Sequence, residues 1–167
     1  MATGRVPDRG RGSPRGYVGV VGPSEAADEE CALAREVGAL LAGHGFAVIT
    51  GGLGGIMRAA SQGTAEAGGL SIGLLPGASR DDANPHVTIA LPTGMGEMRN
   101  ALLVRSCDAI IAVGGSWGTL SEVALACRAG LPVVALGGWD LPVTGGPAAA
   151  ATPAEAVDLV LSRIAPA

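Results

Sequence analysis

At 167 residues, 48% hydrophobic but only 2% aromatic, the chain is long enough for one domain with a core of Ala, Val, Leu and Ile. Its 11 basic residues are all Arg, so Schiff-base and P-loop Lys chemistry are excluded, and a net charge of −4 gives no electrostatic reason for a nucleic-acid partner. No apolar run approaches the ~18 residues that a membrane span needs, so no membrane partner is expected.

Residues 1–15 hold Arg5, Arg9, Arg11 and Arg15 among Gly, Pro and Ser, and read as a disordered basic tail ahead of a domain over 16–167. Tyr17–Val21 predicts the first strand, closed by Gly22-Pro23, with Ser24 able to cap the next helix. That helix carries Leu33, Val37, Leu40 and Leu41 at i, i+4, i+7 and i+8 and stops at Gly43 and Gly45, with His44 at its end. Residues 46–50 are the second strand. Gly51-Gly52-Leu53-Gly54-Gly55 is a turn into a helix whose face is Ile56, Ala60, Gly63 and Ala67, and residues 70–75 are the third strand.

A polar loop follows over 76–85, with Asp81 and Asp82 facing solvent, then a short strand over 86–91 and a helix over 97–107. Ala109–Val113 is a buried strand. The turn Gly114-Gly115-Ser116-Trp117-Gly118 leads into a helix over 118–129 with Leu120, Val123, Ala124 and Cys127 on one face. Residues 131–136 are the last strand, 142–152 a surface linker, and Thr152-Pro153-Ala154-Glu155 a capping box opening a final helix on Val157, Val160, Leu161 and Ile164. Apolar strands alternating with helices predict an α/β fold: a single-domain, Rossmann-like parallel sheet with helices on both faces.

Both glycine-rich turns then lie at the carboxyl ends of strands, where such folds bind ligands. Glycine lets backbone N–H groups approach an anion, and a helix N-terminus adds partial positive charge. The Gly51–Gly55 turn does not carry the dinucleotide fingerprint, because Met57 stands at the third glycine and Leu74 and Leu75 stand where the ribose acid belongs. Tight strand-to-helix turns alone are the alternative account of both, and the weaker one, most of all for Gly114–Gly118. Glu122 has two readings as well: Thr119-Leu120-Ser121-Glu122 matches a capping box, and a carboxylate beside a bound anion suits acid/base work. Arg99, in the first turn of its helix, opposes the helix dipole, so either solvent or a bound phosphate must account for it. Cys31, Cys107 and Cys127 have no C-x-x-C spacing, so they read as structural thiols in a reducing, cytoplasmic setting, with no metal site.

These motifs resemble the Lonely Guy (LOG) superfamily, often mislabelled lysine decarboxylases. The signature P-G-G-x-G-T-x-x-E falls on Gly114–Glu122, with Gly114 in place of Pro and Ser116 in place of a glycine. The upstream Arg matches Arg99, followed by Asn100 rather than Lys, and Gly-Gly-x-Gly-Gly-x-Met matches Gly51–Met57. Arg-Asn with Gly-Gly-x-Trp-Gly-Thr-Leu-Ser-Glu is more similar to the branch that includes the molybdenum-cofactor carrier proteins.

The resemblance implies a phosphorylated small molecule, nucleotide or pterin phosphate, held by Gly22, Ser24, Gly51, Gly52, Gly54, Gly55, Met57, Asn100, Gly114, Gly115, Ser116, Trp117, Gly118 and Thr119. Arg99 and Glu122 would be the catalytic pair of any enzyme. No cofactor is required, and molybdenum cofactor is a candidate cargo. The alternative is a nucleoside 5′-monophosphate phosphoribohydrolase that releases free base and ribose 5-phosphate. Lysine decarboxylation is rejected, since its pyridoxal cofactor needs a Lys. A homo-oligomer, dimer or tetramer, is implied too.

Overall fold

Seven strands and five helices alternate over residues 12–141 and 143–164, the part of the chain that the computed structural model describes. Residues 1–11 of the expected tail lie outside it, while Arg15 is docked: its N–H donates to Gly45 O at 2.8 Å and its guanidinium lies over the Phe46 ring. The order is β1 (Tyr17–Val21), α1 (Asp28–Gly43), β2 (Ala47–Thr50), α2 (Gly55–Glu66), β3 (Ser71–Leu75) and β4 (Ile89–Pro92), then α3 (Arg99–Arg105), β5 (Ala109–Val113), α4 (Trp117–Arg128), β6 (Val133–Leu136), β7 (Ala148–Ala150) and α5 (Pro153–Arg163).

All strands are parallel, in the order β4-β3-β2-β1-β5-β6-β7. The chain winds outward from β1 to β4, then returns through α3 to place β5 on the other side of β1. The sheet therefore reverses direction between β1 and β5, and a crevice opens there above the carboxyl ends. Side chains alternate across the sheet: Val18, Val20, Ile111 and Val113 pack against α1, α2 and α5, whereas Val21, Ile110 and Ala112 pack against α3 and α4. Near-continuous apolar strands follow from burial on both faces.

Helices α1 and α2 cross closely. A Cβ on Gly63 would strike the carbonyl of Arg35, and one on Gly38 that of Ala60. Thr64 Oγ1 donates to Ala60 O at 2.8 Å inside this contact, and Arg35 pairs with Glu66 at 2.7 Å on its exposed rim.

Four local expectations change. Ser24 does not cap α1; Ala27 is its N-cap, and Glu30 accepts the Ala27 N–H at 3.2 Å. The helix expected over 97–107 shortens to α3, preceded by a 3-10 turn, Gly96–Met98. The expected linker contains β7, an Ala-rich edge strand with no sequence signal of its own, formed because β6 offers it a free edge. The buried face of α4 is Thr119, Glu122, Val123 and Ala126, leaving Ala124 exposed and Leu120 and Cys127 half-buried.

Candidate functional site

A cleft of about 230 Å³ opens over the carboxyl ends of β1, β2, β3 and β5. One wall is the start of α4. Ser116, extended at φ −148° and ψ 169°, is the N-cap: its Oγ accepts the Thr119 N–H at 3.2 Å and lies 2.9 Å from Thr119 Oγ1. The first intrahelical bond runs from Leu120 N–H to Ser116 O, so the N–H groups of Trp117 and Gly118 have no acceptor within the helix. The N-cap is Ser116, three residues before the expected Thr119, and the capping box expected between Thr119 and Glu122 does not form. Glu122 then lies beyond the first turn of α4, and its side chain turns inward to Arg99 instead of back to the cap.

Glu122 meets Arg99 there. Arg99 opens α3, is 7% exposed, and its Nη1 donates to Glu122 Oε1 at 3.4 Å and to Asn100 Oδ1. Asn100 Nδ2 donates to Ser121 Oγ at 2.9 Å, which in turn donates to Gly118 O at 2.7 Å, tying α3 to α4. Arg99 is thus not a solvated surface residue. Its Nε is buried with no hydrogen-bond partner, a donor left over in a group already costly to bury. Burial lowers the Arg99 pKa, and burial raises the Glu122 carboxyl to about 7 against the opposing pull of Arg99. A carboxyl held there exchanges its proton near neutrality.

Gly51 makes room for this pair, since a Cβ on it would fall on the Arg99 guanidinium. Of the residues expected to bind ligand, Gly22, Ser24, Gly51, Met57, Asn100, Ser116, Gly118 and Thr119 line the cleft with Arg99 and Glu122. Six do not. Gly52, Gly54 and Gly55 shape the turn into α2, where a Cβ on Gly55 would strike the Pro23 carbonyl. Gly114 and Gly115 pass behind the cleft, against Glu30 and the Trp139 loop. Trp117 points outward, 81% exposed, and meets Trp139 edge-to-face with ring centroids 5.1 Å apart. The cleft also takes Val21, Leu53, Pro76, Gly96 and Glu97, which sequence motifs did not single out. Val21 ends β1, and the other four lie in turns, where no periodicity marks them.

Elsewhere the three cysteines are free thiols, and Cys107 is buried with its S–H donating to Leu103 O. No helix among the described residues is long and apolar enough to cross a membrane.

With this geometry in view, comparison with known proteins gives a consistent picture. A family model described as the SLOG cluster4 family matches residues 15–158. An uncharacterized protein of Archaeoglobus fulgidus is 40% identical over 145 residues, spanning 87% of this chain and 94% of that protein. Among solved structures, the molybdenum cofactor binding protein of the phototrophic bacterium Rippkaea orientalis superimposes with a TM-score of 0.83 at 36% identity, over 90% of this chain and 96% of that one. The molybdenum cofactor carrier protein of Chlamydomonas reinhardtii does so with a TM-score of 0.80 at 36% identity, over 90% and 97%.

Proposed function

Because this chain belongs to the SLOG cluster4 family, we propose that its cleft binds a phosphate-bearing small molecule and that molybdenum cofactor is the ligand it carries. One observation carries the reading: a buried Arg99 with an unpartnered Nε lines the same cleft as the first turn of α4. Helix N–H groups and a guanidinium fork together match the oxygens of a phosphate. That donor set fits the phosphate of the cofactor's pterin. Asn100 and Ser121 hold α3 and α4 in register, so the donors are pre-organised and little ordering is left for binding to cost. In a carrier, Glu122 offsets the charge of Arg99 while the cleft is empty. Phosphate then competes for the guanidinium, and protonation of Glu122 removes the repulsion between two anions.

A second reading is favoured by Glu122 itself. A carboxyl titrating near neutrality beside an anion site suits the LOG-type phosphoribohydrolase, where Glu122 takes a proton from the water that bonds the ribosyl carbon while the C–N bond breaks, the electron pair leaves on the base nitrogen, which is then protonated, and Arg99 neutralises charge beside it. We also read the chain as a homo-oligomer, because Met98 and Leu102 are exposed together at the start of α3, and as cytoplasmic, because Cys31, Cys107 and Cys127 are free thiols.

The deciding experiment is a thermal-shift screen with AMP, other nucleoside monophosphates, ribose 5-phosphate and molybdenum cofactor, with base release followed by chromatography. Stabilisation without base release, strongest for the cofactor, is the expected result. Free adenine from AMP moves the chain to the hydrolase reading. No stabilisation by any phosphorylated ligand overturns both.

A further inference from the structure

Five of the eight large apolar side chains exposed among the described residues fall between positions 89 and 102. Ile89 and Leu91 belong to β4, Met95 to the loop after it, Met98 to the 3-10 turn and Leu102 to α3. They share one side of the molecule. Ile89 and Leu91 pair with Ile72 and Leu74, whose side chains pack on the α3 and α4 face of the sheet. There α3 lies over β3. Leu102 points away from α4, because Val104, about 200° around the helix from it, lines the groove to α4 with Ala101 and Arg105. A parallel sheet is ordinarily covered on both faces. Here β4 and the outer side of α3 stay open, and a contiguous apolar opening marks a surface that another protein covers.

The charges beside the opening identify that protein as a second copy of this chain. Glu97 stands just before α3 and Arg105 ends it, and both are exposed. Ala101, small and exposed, stands midway, four residues from each on the same helical ridge. A two-fold axis crossing α3 at Ala101 reverses the helix. It lays Glu97 of each copy beside Arg105 of the other and keeps β4 on the β4 side, so apolar surface meets apolar surface. A two-fold axis running along α3 would instead set Glu97 on Glu97 and Arg105 on Arg105, and turn β4 towards α4 of the other copy.

Resting on the homo-oligomer reading above, we infer that α3 and β4 form a two-fold interface in which α3 runs antiparallel to α3 of a second copy. Glu97 lines the cleft, so the second copy's Arg105 arrives at the cleft rim. Each cleft is then bordered by both copies.

Sedimentation velocity of the full chain over a range of concentrations tests this. Leu102→Asp should halve the mass, from dimer to monomer or from tetramer to dimer. It should raise the dissociation constant of this contact roughly thirtyfold or more, the size of a central interface residue. Arg105→Glu should weaken association about tenfold, since like charges then meet twice across the axis. Adding Glu97→Arg to it should restore most of that loss, because the pair is only reversed. Circular dichroism checks that each variant is folded, which the exposure of all three positions favours. An oligomer that Leu102→Asp leaves intact, or a double variant no better than Arg105→Glu alone, overturns the inference and leaves the homo-oligomer reading standing. A wild-type chain that stays monomeric at every concentration sinks both.

Discussion

Arg99 Nη1 and Glu122 Oε1 stand 3.4 Å apart, each side chain 9% exposed, where α3 and α4 meet above the sheet. Burying such a pair costs more than solvated charges would, so its value lies in what the cleft does. The consequence is a pH dependence of known sign. Burial raises the Glu122 pKa to about 7 in the fold, whereas the unfolded chain has an ordinary glutamate. Between the two values the folded state holds a proton that the unfolded state has lost. The stabilisation is complete below the unfolded pKa and is lost as pH rises through 7. Its size is roughly 3 kcal/mol as an upper bound. Melting curves from pH 5 to 8 should show wild type losing stability relative to Glu122→Gln as pH rises. Parallel curves for the two proteins would contradict the raised carboxyl.

Arg99 carries the second prediction. Its Nε is an unused buried donor in a cleft with a helix N-terminus, so a phosphate should bind it as a fork. Arg99→Met should weaken ribose 5-phosphate or AMP by roughly tenfold or more, the loss of a charged hydrogen bond. Arg99→Lys keeps the charge without the fork and should recover only part of the affinity. Full recovery by Lys would mean that Arg99 acts as a point charge only.

The third prediction concerns the scaffold. Gly38 and Gly63 let α1 and α2 approach until each faces a backbone carbonyl of the other helix. An added methyl cannot be absorbed by a rotamer change, because the obstacle is backbone. Gly63→Ala should therefore destabilise by about 3 kcal/mol, despite the better helix propensity of Ala. A urea midpoint equal to or above that of wild type would show that the helices can separate cheaply.

Much of this was legible in the sequence. Apolar runs ending in glycine or proline located six of the seven strands, because a parallel sheet buried on both faces needs such runs. The pairing of Arg99 with Glu122 followed from motif resemblance, and their burial together did not: 23 positions separate them, and only the return of α3 across the sheet joins them. The edge strand β7 was hidden because Ala148–Ala150 has no strand propensity and exists by pairing with β6. The register of α4 was misread for another reason. Ser116 and Thr119 are both good N-caps and each has three residues of room, so local chemistry leaves a tie. In the fold Ser116 is the cap, and Glu122 faces Arg99 instead of the helix start.

That tie can be broken experimentally, and the same position separates folding from binding. If Ser116 is the N-cap, Ser116→Ala should cost about 1 kcal/mol and lower Tm by a few degrees. Thr119→Val, which keeps its N–H on Ser116 Oγ, should cost less. The reverse order would return the cap to Thr119. Ser116→Asp is the sharper variant. Aspartate caps a helix as well as serine does, so Tm should hold. It also places a carboxylate on the cleft wall where the phosphate is proposed to sit, so ribose 5-phosphate affinity should fall by tenfold or more. A stable Ser116→Asp protein that still binds ribose 5-phosphate normally would move the anion away from the start of α4.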